Sequence, residues 1–222
     1  MRDRLHYALD GEVAVLTMDD GKANAAGFAM LEALDTGLQR ARDEARAVVL
    51  AGRPGVFCGG FDLGVIRAGD DAVVERLVTA GARLLMRLYG HPQPVVLAVT
   101  GHAVALGGFL LLAADYRYGA DGDYRVGLNE TAIGLRLPVF GFELIGARVA
   151  SDWRSRVTLG AELFAPAAAC TAGFLDAIVA DPRAAAIERA RALAAYDAAT
   201  YAFNKHGLRA ALIGRVLASL PA

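Results

Sequence analysis

Cysteine is nearly absent. Cys58 and Cys170 are the only two in 222 residues, so there is no disulfide framework and no metal-ligand spacing; both are expected as free thiols in a reducing compartment. The four histidines, His6, His91, His102 and His206, sit far apart and form no ligand set, so no metal is expected. Neither sign of charge is in surplus: the formal net charge is −1 and the pI about 6.4. That excludes the basic footprint of a nucleic-acid binder and any acidic solvating tail. Apolar runs such as "PVVLAV" and "FLLLAA" are far too short to span a bilayer, and the N-terminus has no apolar signal core. The expectation is a soluble, cytoplasmic chain. Also missing are Gly-x-Gly-x-x-Gly after the first strand, a P-loop, Gly-x-Ser-x-Gly and His-Glu-x-x-His. What is present is apolar substance: 55% hydrophobic residues and a mean hydropathy of +0.37, enough for a sizeable core.

Two short runs flank Asp10-Gly11, a tight-turn pair, and "VAVLTM" reads as the strand after it. Residues 24–44 have helical periodicity, with Phe28, Leu31, Leu34 and Leu38 on one face and Asn24 as N-cap. "RAVVLAG" and "PVVLAVTG" are buried strands, each followed by a glycine-bearing loop that enters a helix. "GGFLLLAAD" is apolar on every side, hence a central helix. "YRYG" and "YRVG" are short strands around Asp121-Gly122; helices follow over 139–150, 152–160 and "PAAACTAGFLDAIVA", and an Ala/Arg-rich helical region runs on beyond Pro182. Strand and helix alternate, so the class is α/β with mainly parallel strands.

The two loops are "CGGFDL" (58–63) and "GHAVALGGFLLL" (101–112). Small residues there serve either tight packing or a close backbone approach to a ligand. Unpaired amides at a helix start point outward, and two that converge bind a developing negative oxygen. Glu130 follows an apolar strand-like run and reads either as a helix-start glutamate stabilised by the dipole or as a base beside such a hole.

Taken in order, "VAVLTMDDGKANA", "RAVVLAGRPGVFCGGFDLGVI", "PQPVVLAVTGHAVALGGFLLLAADYRYGA" and "RVGLNETAIGL" resemble the crotonase superfamily of enoyl-CoA hydratases and isomerases over roughly residues 11–180. Within it they look most like the mitochondrial Δ3,Δ2-enoyl-CoA isomerases. The resemblance implies a crotonase (ClpP-like) spiral of repeated β-β-α units with two near-perpendicular sheets. Residues 1–182 would be its core and 183–222 a helical trimerisation region. It implies Glu130 as catalytic residue and the amides of Phe61 and of Leu106 or Gly107 as oxyanion hole. Lys22, Ala23, Asn24, Gly59, Asp62, Leu63 and Phe109 would contact an acyl-CoA thioester. The family's hydratases carry a second glutamate six residues before the aspartate that ends the central helix. Counting back from Asp115 puts Phe109 there. Hydration needs a water held and activated, which two carboxylates do well; moving a double bond needs one base. The expected function is therefore a Δ3-to-Δ2 enoyl-CoA isomerase of fatty acid metabolism. No cofactor is expected beyond the CoA of the substrate, and the assembly would be a homotrimer or a dimer of trimers. A hydratase or hydrolase on the same site, with Glu143 as a second acid, and a CoA-binding protein without turnover are the alternatives.

Overall fold

The computed structural model describes residues 4–221. A hairpin of β1 (Leu5–Asp10) and β2 (Val13–Met18) leads into α1 (Phe28–Glu44). Three successive β-β-α units then follow. The first is β3 (Ala47–Ala51), β4 (Gly55–Cys58), α2 (Leu63–Arg67) and α3 (Asp71–Tyr89). The second is β5 (Val95–Val99), β6 (Gly101–Val104) and α4 (Leu106–Ala113). The third is β7 (Tyr116–Ala120), β8 (Val126–Gly127), a 3-10 turn (Thr131–Ile133) and α5 (Val139–Arg148). Each unit gives its first strand to a six-stranded sheet, β1-β2-β3-β5-β7-β10, and its second to a four-stranded sheet, β4-β6-β8-β9. Strands contributed in the same sense by repeated units pair in parallel, as β3, β5 and β7 do in one sheet and β4, β6 and β8 in the other. This is the expected α/β spiral.

The large sheet is covered on both faces, which is why its strands read as unbroken apolar runs. Alternate residues divide between two cores: Val48, Leu50, Val95 and Leu97 face α1, α3 and α4, while Val49, Ala51, Val96 and Ala98 face α8 (Pro182–Ala194) through Ala186, Ala190 and Leu193. Every residue of α4 is buried, as its unbroken apolarity requires. α9 (Ala198–Ala218) lies against α3 and α5 and is anchored by charge. Lys205 Nζ and Arg209 Nη2 reach the Asp115 carboxylate at 2.6 and 2.9 Å, all three groups nearly enclosed.

Several elements differ from expectation. α1 starts at Phe28 after Gly27, and Asn24 is not its cap. Asn24 has φ +50, and its carboxamide donates to the Met18 and Phe57 carbonyls, so it ties the preceding loop to β4. Phe28 is 40% exposed rather than on the inner face. β4 and β6 lie where only loops were expected, whereas the short strands expected at "YRYG" and "YRVG" are present as β7 and β8, in different sheets. The stretch expected as one helix holds α7 (Pro166–Ala172) and then β10 (Ala177–Val179), which pairs with β7; β9 (Leu163–Phe164) precedes it. No helix among the described residues is long and apolar enough to cross a membrane.

Candidate active site

The small sheet builds the site. β4, β6 and β8 run side by side and parallel, so their C-terminal ends open on one edge. The chain beyond β4 is Gly59-Gly60-Phe61, beyond β6 it is Ala105-Leu106, and beyond β8 it is Leu128-Asn129-Glu130. Neighbouring strands are about 4.8 Å apart, so the three exits fall within roughly 10 Å of one another.

The first two exits offer main-chain donors. Gly60 has φ +102 and lies directly on the second exit: a Cβ there would sit 2.9 Å from Ala105 Cβ and 3.7 Å from the Leu106 amide nitrogen. Only glycine permits that approach. The Ala26 amide donates to the Gly60 carbonyl at 2.8 Å, which fixes the peptide before Phe61. Neither the Phe61 nor the Leu106 amide donates to another described group. The side chains of both point away, toward α3. A Cβ on Gly81 would strike the Phe61 ring at 2.6 Å and would lie 3.7 Å from Leu106 Cδ1. Leu106 is 1% exposed, so its side chain narrows no pocket. Gly107 is packed flat on the Cys58 carbonyl, 2.2 Å from where a Cβ would stand, which makes it a packing position. Of the two candidates for the second donor, Leu106 is the one whose amide lies beside Gly60, next to the Phe61 peptide.

The third exit carries Glu130, half-buried at the start of the 3-10 turn. Its Oε2 is enclosed and has no hydrogen-bond partner among the described residues, as is also true of Asn129 Oδ1 beside it. Burial pushes the Glu130 carboxyl above the usual carboxylate range, against the pull of its own amide and that of Asn129. A carboxylate held in this way is a stronger base than one in water, and it is available rather than tied up in an ion pair.

A cavity of about 550 Å³ lies next to the first exit, lined by Lys22, Ala23, Gly59, Phe61, Asp62 and Leu63, with Arg4, Asp20, Ala25 and Gly64. Six expected site residues therefore converge. Asp62 is held as the N-cap of α2, its Oδ1 accepting from the Gly64 amide at 2.8 Å. Asp20 organises the rim. Burial alone would raise its pKa, but the amides of Asn24, Lys22 and Ala25 lower it below the ordinary value. Arg4 and Lys22 set two cations at this opening. Two expected contacts are corrected. Asn24 is fully buried and its carboxamide is consumed by main-chain bonds, so it shapes the loop and touches no ligand. Phe109 is 1% exposed, edge-on to Phe140 with ring centroids 5.2 Å apart, and does not line this cavity.

A family model described as enoyl-CoA hydratase/isomerase matches residues 9–219. The chain belongs to that family. A crystal structure of an enoyl-CoA hydratase/isomerase family protein from Pseudomonas syringae is 36% identical and superposes with a TM-score of 0.95, covering 98% of this chain and 95% of that one. Human mitochondrial enoyl-CoA delta isomerase 1 is 30% identical over 171 residues, 75% of this chain and 57% of its own. A probable enoyl-CoA hydratase from Rhodobacter capsulatus is 40% identical over 112 residues, 50% of this chain and 44% of its own. The aligned stretches thus span less than two thirds of either curated relative.

For a member of the enoyl-CoA hydratase/isomerase family, the remaining polar residues around the site are accounted for by structure. Glu143, the candidate second acid, is clamped by Arg215 of α9 through two 2.7 Å bonds, and that hydrogen bonding holds its pKa below the ordinary value. His102 Nδ1 accepts from the Arg125 amide, and its ring stands edge-on to Tyr124. Cys58 is fully buried and its thiol is pushed up to about 11, which leaves it inert. No group of three or more His, Cys, Asp or Glu among the described residues could hold a metal ion. Two residues were missed in the sequence. Arg4 gives no signal there, because only the hairpin brings it to the cavity. Asn129 is adjacent to Glu130 in the chain, but its buried oxygen shows only in three dimensions.

Proposed function

We propose that the chain is an enoyl-CoA isomerase that shifts a double bond from Δ3 to Δ2 with Glu130 as its single acid–base group. The observation that carries this reading is the Glu130 carboxyl, half-buried and raised in pKa by desolvation, with its Oε2 enclosed and unpartnered among the described residues; by the resemblance Phe109 stands at the second-glutamate position, and Glu143 is bound to Arg215. The Phe61 and Leu106 amides receive the thioester oxygen. Glu130 removes a proton from C2, and the C–H pair becomes the C1–C2 double bond of an enolate whose oxygen the two amides hold. The protonated Glu130 then delivers that proton to C4. The C3–C4 pair forms the new C4–H bond, the carbonyl re-forms and the double bond settles between C2 and C3. No water and no further cofactor enters the balance. The cavity with Arg4 and Lys22 takes the anionic CoA end. The exposed Ile133, Leu135 and Val139, in the segment after Glu130, offer the acyl chain an apolar wall.

The test is conversion of 3-hexenoyl-CoA by the wild type and Glu130→Gln, with crotonyl-CoA hydration and CoA-thioester hydrolysis as parallel assays. The expected loss of kcat is roughly 10²-fold or more, the scale of a positioned acid–base group. An equal rate in the variant refutes the assignment. Hydration or hydrolysis faster than isomerisation transfers the site to the rival reaction, and CoA binding without any turnover reduces it to a binding module.

A further inference from the structure

Among the described residues three that are not glycine have positive φ: Asn24, Ala105 and Ala161. Asn24 is accounted for by its carboxamide bonds. Ala105 has φ +54 and ψ −121, the values of the first central residue of a II′ turn, where glycine dominates. It immediately precedes the Leu106 amide, just as positive-φ Gly60 immediately precedes the Phe61 amide.

Both ends of Ala105 are fixed. Its amide donates to the Gly127 carbonyl at 3.0 Å, and its carbonyl accepts from the Phe109 amide at 3.1 Å, starting α4. Between those anchors the peptide joining 105 and 106 is turned by roughly 110° from the ψ of an extended residue, about +130°. The Leu106 N–H direction is therefore set by a conformation that an alanine adopts only under constraint. The constraint is visible. The Ala105 methyl abuts Gly60, where a second methyl would come within 2.9 Å. The same contact spaces the two loops.

We propose that Ala105 is a positioning residue: its methyl, braced on Gly60, locks the strained 105–106 peptide so that the Leu106 amide converges with the Phe61 amide on the thioester oxygen. The proposal rests on the isomerase reading of the site. Glycine at 105 fits the same φ and ψ without strain, but it lets the peptide rotate and removes the brace. A merely structural role predicts greater stability and unchanged chemistry. A positioning role predicts greater stability and slower chemistry.

The experiment uses Ala105→Gly, with Ala161→Gly (φ +48, between α6, Arg154–Thr158, and β9) as the control for strain relief away from the site. The readouts are Tm and the rate of 3-hexenoyl-CoA isomerisation. Both variants are expected to raise Tm by about 2–4 °C. Ala105→Gly lowers kcat for isomerisation roughly tenfold, a fraction of the 10²–10³ for loss of a whole donor, with KM within about twofold. Ala161→Gly leaves kcat unchanged. Wild-type kcat in Ala105→Gly overturns the proposal alone, and a Tm that does not rise contradicts the strain on which it is built. A wild type that does not isomerise 3-hexenoyl-CoA overturns the isomerase reading and the proposal with it.

Discussion

Two carboxylates lie inside this molecule under opposite conditions. Asp115, at the end of α4, accepts from the Val95 amide at 2.7 Å and faces Lys205 and Arg209 at 2.6 and 2.9 Å. Glu130, beyond β8, is enclosed at Oε2 and accepts from no described donor there. A buried charge surrounded by donors fastens a structure, here by holding α9 to the central helix. A buried carboxyl left without them costs stability and keeps its lone pairs for something else. The difference separates Asp115, which tethers α9, from Glu130, the proposed base.

Replacing each acid by its amide separates the two roles. The largest effect is expected at Asp115→Asn, which leaves Lys205 and Arg209 buried against a neutral partner at a cost of about 3–5 kcal/mol. Denaturant or thermal unfolding reads this as a Tm lowered by about 10 °C, with turnover per folded molecule unchanged. Glu130→Gln moves stability the other way. The folded pKa of Glu130 is raised, so its contribution to stability is complete below the ordinary glutamate value and is lost as pH rises through the raised one. At neutral pH the neutral amide escapes that penalty, and Tm rises while activity collapses. Glu143→Gln breaks an ion pair whose arginine is largely exposed. Its Tm falls by no more than about 2 °C and its turnover is unchanged. Equal shifts in all three variants would erase the distinction between tether and reagent.

Much of this was legible in the chain. The apolar runs at 47–51 and 95–99 and the all-apolar helix after Leu106 mark the buried centre. The glycine loops mark the exits, and the order of four motifs marks the spiral. Short strands such as β8 and β9 escaped, because two residues carry no period and their pairing comes from partners distant in sequence. Asn24 looked like a helix cap because its residue type suits one; its left-handed backbone and four carboxamide bonds are tertiary facts. Glu143 looked available because its partner, Arg215, lies 72 positions away. Glu130 looked ambiguous for the opposite reason: what sets it apart is an enclosed Oε2 with no partner among the described residues, which no spacing encodes.

The most direct test is the pH dependence of kcat/KM for 3-hexenoyl-CoA, since that ratio reports the ionisation of the free enzyme. The base acts when deprotonated, so the rate falls as pH drops through its pKa. The expected profile has an acid limb above the ordinary glutamate value of about 4.3, and Glu130→Gln removes both the limb and most of the rate. A limb at or below that ordinary value, or the same limb persisting in Glu130→Gln at wild-type rate, would contradict a desolvated Glu130 as the base.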